Sequence, residues 1–351
     1  MSLKNNQMSQ TELSQTIVFA AGDEGYHAFR IPAVITTPAG TVLAFCEGRR
    51  NSYSDFGDID LLLKRSFDGG LTWGPLQVVA TAGEHKVGNP TPVIDAHTGV
   101  IWLPILHQTG TESEQRQLGK DGVGLVEIWL THSTDDGASW AEPIDITSQV
   151  KEQESSYAII GPGVSIQLRN GRLLIPSYFK TDFGKETFAN AIWSDDHGKT
   201  WQHGGYCGEG PSECQAVELS DGTVMMNMRN HRGDKQRLVS LSRDDGTTWS
   251  TPHLDSQLVE PICQASILRC EAGILFSNPA SVERKNMTVR LSQDEGKSWT
   301  ISKVIWPGPT AYSCLTILQD GAIGCLYEHG DVNSCERISF AQFTLDWLMA
   351  G

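Results

Sequence analysis

No uninterrupted apolar run of 18 residues exists in this 351-residue chain, so no segment of it is written as a membrane-spanning helix. The first 15 residues, MSLKNNQMSQTELSQ, lack the basic start, apolar stretch and small-residue cleavage site of a secretory signal. The expectation is a cytoplasmic protein, or a secreted one whose signal has been removed. Only eight cysteines occur, scattered from Cys46 to Cys335 without a C-x-x-C pair or a Cys/His ligand spacing. That excludes a zinc module and a disulfide scaffold and leaves buried free thiols as the expectation. P-loop and dinucleotide fingerprints are missing too, so no cofactor and no metal are implied. Positive charge is scarce: 27 Lys and Arg face 42 Asp and Glu, a net charge of -15, which disfavours nucleic acid or an anionic membrane surface as partner. An acidic ligand would need a local cluster of arginines.

What the sequence has in abundance is one eight-residue pattern, S-x-D-x-G-x-(S/T)-W. It appears as SFDGGLTW from Ser66, STDDGASW from Ser133, SDDHGKTW from Ser194, SRDDGTTW from Ser242 and SQDEGKSW from Ser292. Asp and Ser side chains accept hydrogen bonds from the backbone of a tight loop, and Gly supplies the positive φ such a loop requires. The closing Trp73, Trp140, Trp201, Trp249 and Trp299 each offer a large apolar ring to plug between sheets. The pattern therefore reads as a structural clasp and not as the chemistry.

Three strand-like runs precede each copy, as FRIPAVITTP, GTVLAFCEGR and DIDLLLKRS precede Ser66. Successive copies begin 67, 61, 48 and 50 residues apart, against the roughly 40 to 50 residues of a four-stranded propeller blade. The second and third units thus carry extra loop. A sixth group, YSCLTIL, AIGCLYEHG and RISFAQFTL, has only three strands, and QTIVFA at residues 15 to 20 is available to complete it. The expectation is an all-β, six-bladed β-propeller of four antiparallel strands per blade, its last blade closed by the N-terminal strand. Residues 1–15 would be a flexible tail and 16–351 a single domain, expected to be monomeric.

In such blades the start of strand 1, the end of strand 2 and the loop after it share one face, opposite the clasp. Arg30, Arg49, Arg50, Asp55, Asn89, His107, Tyr178, Lys180, Glu213, Arg229, Arg284, Tyr312 and Glu328 fall there. An arginine in an apolar strand, as in FRIPAV or MMNMRN, is costly to bury unpaired, so a structural ion pair with Glu328 or Glu213 is one reading. Three arginines aimed at one point suit a ligand carboxylate better, because the guanidinium fork binds it in bidentate fashion. Singly, Tyr312 would be a packed ring and Asp55 a loop cap; their joint placement carries the argument.

FRIP followed by AFCEGRRNSYSDFGDIDLLLKRS, the five clasps, GPG, SECQAVEL, AYSCLTIL and LYEHG together resemble the sialidase (neuraminidase) family, over essentially residues 16 to 345. The resemblance implies an exo-α-sialidase acting on sialylated oligosaccharides, glycoproteins or glycolipids. It implies Arg30, Arg229 and Arg284 as the triad for the sialic acid carboxylate, with Glu328 bracing Arg30. It further implies Asp55 as acid/base, Tyr312 as nucleophile, Glu213 as the carboxylate beside it and Arg49 near the 4-hydroxyl. Asn89 stands where many bacterial members have an Asp near the N-acetyl group. His107 and Lys180 are left as rim residues, and the polar segment 108 to 122 is expected to overhang the pocket. A trans-sialidase would use the same residues, and a non-catalytic sialic acid-binding propeller would keep the arginines without needing Asp55, Glu213 and Tyr312 together.

Overall fold

The structure, a computed structural model, describes residues 13–110, 126–151, 157–181 and 186–350. Strands dominate them, in four hydrogen-bonded sheets of seven, nine, five and four strands. The four-stranded sheet shows the pattern plainly: Pro211–Glu218, Val224–Asn230, Gln236–Ser242 and His253–Val259 pair antiparallel in chain order. The same succession occurs in Ala28–Thr36, Val42–Arg49, Ile59–Ser66 and Gln77–Ala80. A single parallel bridge from Ile59 to Lys86 joins that succession to the next in the nine-stranded sheet.

One 17-residue strand, Ile301–Ile317, serves two successions, pairing first with Lys285–Ser292 and then with Ile323–His329. The first strand, Ser14–Ala20, pairs antiparallel with Arg337–Phe343, as the leftover QTIVFA segment predicts. Where prolines and glycines crowd the sequence, strands break: Lys86–Gly88 and Val93–Ile94 both lie on Ile101–Gln108. Tyr157–Ile160 and Ile166–Gln167 likewise share Leu173–Thr181 on either side of Gly161-Pro162-Gly163. Most of the expected overhang at 108 to 122, and the expected tail up to Glu12, lie outside the described residues. Among the described residues no helix is long and apolar enough to cross a membrane.

The repeated pattern folds as a clasp in all five places. In the first, Ser66 Oγ donates to Asp68 Oδ1 at 2.7 Å and accepts from Gly70 N at 2.8 Å, while Asp68 Oδ1 accepts from Thr72 N at 2.9 Å. The same bonds recur from Ser133, Ser194, Ser242 and Ser292. Gly70, at φ 98°, also permits close approach: a Cβ there would lie 2.3 Å from the Phe340 ring. Trp73 stands edge-on to Phe340 at 5.5 Å and Trp140 to Phe45 at 5.6 Å, each contact crossing from one succession to its neighbour. Trp201 and Trp299 are buried outright.

Register separates the clasp from the opposite end of the sheet. Val42 pairs with Ser66 but Arg49 pairs with Ile59, so Arg49 and the first clasp lie at opposite ends of one hairpin. All eight cysteines are free, and six are buried.

Candidate active site

Three strands that carry site residues depart from regular pairing at or directly beside the residue concerned. Register shifts fall between Arg30 and Ala33, directly after Arg30, and between Pro211 and Cys214 and between Thr310 and Ser313, which enclose Glu213 and Tyr312. Bulges of this kind re-aim a side chain that a flat strand would send elsewhere. Ile31 at φ 60° and Ile262 at φ 56° take the left-handed conformation, an outlier for a β-branched residue.

Buried carboxylates pin these distortions. Glu328, fully buried, accepts from Ile31 N at 2.8 Å and from Tyr312 N at 3.1 Å, and its two oxygens take the Arg30 Nε and Nη2 groups at 2.7 and 3.1 Å. Glu260, fully buried, accepts from Asn230 N at 2.7 Å and pairs with buried Arg237 at 2.7 Å. Glu47, also fully buried, accepts from Asn89 N at 3.2 Å.

On that floor stands a cluster centred on Tyr312. Its hydroxyl donates to Glu213 in a very short hydrogen bond and accepts from Arg229 Nη1 at 3.1 Å, and the same Nη1 donates to Glu213 Oε2 at 2.6 Å. The guanidinium carbons of Arg30 and Arg284 lie 5.4 and 5.8 Å from the Tyr312 ring centroid. Arg284 donates to the Ile262 carbonyl at 3.3 Å. Burial and the neighbouring Glu213 carboxylate push the Tyr312 hydroxyl well above its ordinary pKa. Burial would raise Glu213 too, but the Arg229 charge and the tyrosine hydrogen bond outweigh it and hold the carboxyl low. A neutral hydroxyl thus faces an ionised carboxylate, the state in which proton transfer between them can create a nucleophile.

A second group adjoins it. Arg49, buried, donates to Glu47 at 2.7 Å and to Asp55 Oδ1 at 2.5 Å. The Asp55 side chain is 66% exposed, at the rim. Burial of its surroundings works to raise its carboxyl, and Arg49, Lys86 and Arg30 together hold it below the usual range. Of the two adjacent arginines, Arg50 turns away, pairing with Asp58 at 3.2 Å and Asp60 at 2.6 Å. Asn89 directs its amide to the Ile160 carbonyl at 3.2 Å.

Lys180 lines a side cleft of about 300 Å³ with Tyr178, Glu213, Arg229 and His231, and burial beside Arg229 lowers His231 to about 4. His107 stacks on Trp129 at 3.9 Å and bonds Glu127 at 2.8 Å. Among the described residues no His, Cys, Asp and Glu cluster able to hold a metal is present.

Arg30, Arg49, Asp55, Asn89, Glu213, Arg229, Arg284, Tyr312 and Glu328 are expected from the sequence, and Glu47, Lys86, Glu260 and Arg237 are not. Glu47 stands two residues before Arg49 and so on the same face of one strand, a signal that was available. Lys86 and the Arg237–Glu260 pair have no local signature.

The family described as BNR repeat-like domain matches residues 40–325. The sialidase of Bacteroides fragilis is 33% identical over 339 residues, covering 88% of this chain and 61% of that protein. That of Micromonospora viridifaciens is 36% identical over 350 residues, covering 93% and 53%. The chain therefore spans about half to three fifths of those two relatives. The exo-alpha-sialidase of Arthroderma benhamiae is 32% identical over 365 residues, covering 94% of this chain and 86% of that protein. Among solved structures, Hadza microbial sialidase Hz136 superposes with a TM-score of 0.86 at 32% identity, covering 95% of this chain and 69% of that one. The intramolecular trans-sialidase from Ruminococcus gnavus shares the fold at a TM-score of 0.78 and 21% identity, covering 95% and 98%.

Proposed function

This chain belongs to the sialidase family, and we propose that it is an exo-α-sialidase that hydrolyses terminal sialic acid from oligosaccharides, glycoproteins or glycolipids with retention of anomeric configuration. The observation that carries the reading is the Tyr312 hydroxyl set between Glu213 and Arg229, with the guanidiniums of Arg30 and Arg284 about its ring. We read the four sheets as six four-stranded blades around one axis, with residues 16–351 as one domain acting as a monomer.

In this scheme Arg30, Arg229 and Arg284 take the carboxylate that sialic acid bears on its anomeric carbon, through charge-assisted forks. That carboxylate explains the nucleophile. An incoming Asp or Glu would meet like charge at short range, whereas a neutral tyrosine does not. Tyr312 Oη bonds to the anomeric carbon as Glu213 accepts its proton, and the glycosidic C–O bond breaks as Asp55 delivers a proton to the departing oxygen. Water, deprotonated by Asp55, then attacks the tyrosyl-linked carbon; the phenolate leaves and recovers its proton from Glu213. Asp55 must be protonated for the first step, and Arg49 opposes that. A substrate that engages Arg49 would loosen its hold on the Asp55 carboxyl.

Release of free sialic acid from a fluorogenic sialoside, with proton NMR of the first-formed sugar, tests the proposal. The α-anomer is expected first. Initial β-anomer, or no release by folded protein, would overturn it. Adding lactose separates transfer from hydrolysis, because a hydrolase leaves the sialic acid free.

A further inference from the structure

Lys86 is a buried lysine that none of the chemistry above uses. It lies on the short strand Lys86–Gly88, and its Nζ meets Glu47 Oε1 at 2.9 Å, with both side chains out of solvent. The other oxygen, Glu47 Oε2, takes Arg49 Nη2 at 2.7 Å and Nε at 3.2 Å. Glu47 is thus a hub with one cation on each oxygen, and the Arg49 cation goes on to Asp55. Space for the hub is built into the backbone: a Cβ at Gly88 would lie 2.1 Å from Glu47 Oε1. The chain also meets itself here, since Lys86 forms the parallel bridge to Ile59, the partner of Arg49 in the first hairpin.

Burying a lysine is unfavourable unless the charge does something that an apolar residue could not. Packing alone needs no cation here. Without Lys86, the whole negative charge of Glu47 would fall on Arg49 and draw the guanidinium away from Asp55.

We infer that Lys86 is a positioning residue for Asp55: by occupying half of the Glu47 carboxylate, it frees the Arg49 guanidinium to be shared with Asp55 at the rim. This rests on the sialidase reading, and it assigns Lys86 no contact with substrate. The charged groups facing Asp55 are Arg49, Lys86 and Arg30, with Glu47 behind them. Removing Lys86 therefore both weakens the Arg49–Asp55 pair and deletes a nearby cation. Each change favours the protonated form of Asp55, the form that donates to the glycosidic oxygen.

The experiment compares Lys86→Met, Lys86→Gln and Lys86→Arg with the parent chain in two measurements. In the first, kcat/KM for a natural-type sialoside is followed against pH. The limb on which activity falls with rising pH is expected to move upward in Lys86→Met by about half a unit or more, less than the one to three units of a directly contacting charge. Lys86→Gln keeps a donor for Glu47 and should shift the same way even if the methionine variant does not fold. Lys86→Arg should restore the parent profile. In the second, carbon-detected NMR titration of the Asp55 carboxyl, assigned with Asp55→Asn, reads the coupling without turnover and should show the same upward shift. A folded Lys86→Gln with parental limb and parental Asp55 titration, or with activity lowered equally at every pH, overturns the inference. If the parent chain releases no sialic acid while the titration shift is present, the enzymatic reading fails and the coupling stands.

Discussion

Replacing Glu328 by Gln tests how the site floor and the carboxylate pocket are built from one group. Glu328 has no exposed surface and accepts four hydrogen bonds: two from Arg30 and one each from the backbone of Ile31 and Tyr312. The amide nearly preserves shape but removes the charge and turns one oxygen into a donor. In either orientation the amide nitrogen faces one Arg30 N–H and one backbone N–H, that of Ile31 or of Tyr312, so two donors lose their acceptor and a guanidinium only 10% exposed loses its counter-charge. Breaking a buried pair from one side costs about 3 kcal/mol or more. In a chain of this size that lowers Tm by roughly 5 °C.

The same change should release Arg30 from its aim. One charge-assisted contact is worth about 1.5–3 kcal/mol, so affinity for the unsaturated 2-deoxy-2,3-dehydro analogue of sialic acid should fall roughly 10- to 100-fold. Thermal melts and inhibition kinetics measure the two effects separately. A variant with unchanged Tm and unchanged inhibitor affinity would refute the claim that Glu328 holds the strained Ile31 turn and orients Arg30.

Asp55→Ala should harm natural sialosides far more than substrates with a methylumbelliferone leaving group, which depart with little help; equal losses on both would remove Asp55 as the acid. Tyr312→Phe deletes the bond-forming atom and little packing, so it should depress turnover of both substrate classes in protein that melts normally. Asp244→Ala breaks the fourth clasp, where Asp244 accepts from Thr248 N at 2.8 Å, and should lower Tm while leaving kcat and KM of the folded protein nearly unchanged. Hydrogen bonds from Ser139 and Ser298 hold Asp135 and Asp294 down to about 2, against an ordinary 3.8. A depressed carboxylate contributes stability above its ordinary value and loses it as pH falls through the folded one, so Tm should decline between about pH 4 and 2. Asp135→Asn should flatten that decline in melts across the range.

Much of this protein is legible along its length because its architecture repeats. The clasp fixes where each succession turns, and the alternation of apolar residues before Ser66, Ser242 and Ser292 gives strands that the structure places within a few residues. The first strand of the second and third successions is less readable. Pro90, Pro92 and Pro162 interrupt it, and the pairing that remains depends on neighbours far away in sequence. Candidate site residues are legible where a charged side chain interrupts an apolar strand, as at Arg30 and Arg229. Lys86 and Arg237 escaped for the converse reason. Their partners are distant in sequence, Glu47 on the strand Val42–Arg49 and Glu260 just past the strand His253–Val259, and a buried charge looks like a surface charge until the fold brings its counter-ion to it.

The ladder between Ser14–Ala20 and Arg337–Phe343 bears on how fast the molecule can come apart. After Ala20 the chain passes through a short turn to Ala28–Thr36, the first strand of a different succession. The seam between the last and first successions is therefore crossed by covalent backbone, and parting it requires stripping a hydrogen-bonded strand from its neighbour. The cost of that opening enters the unfolding rate as well as the equilibrium stability. A chain cut within residues 21 to 27 would keep every packing contact described above and lose only that tether. Its lifetime in denaturant would shorten, and its melting point would fall by an amount that depends on protein concentration, because the strand would then be held by noncovalent pairing alone. The paired ends thus act as a brake on unfolding.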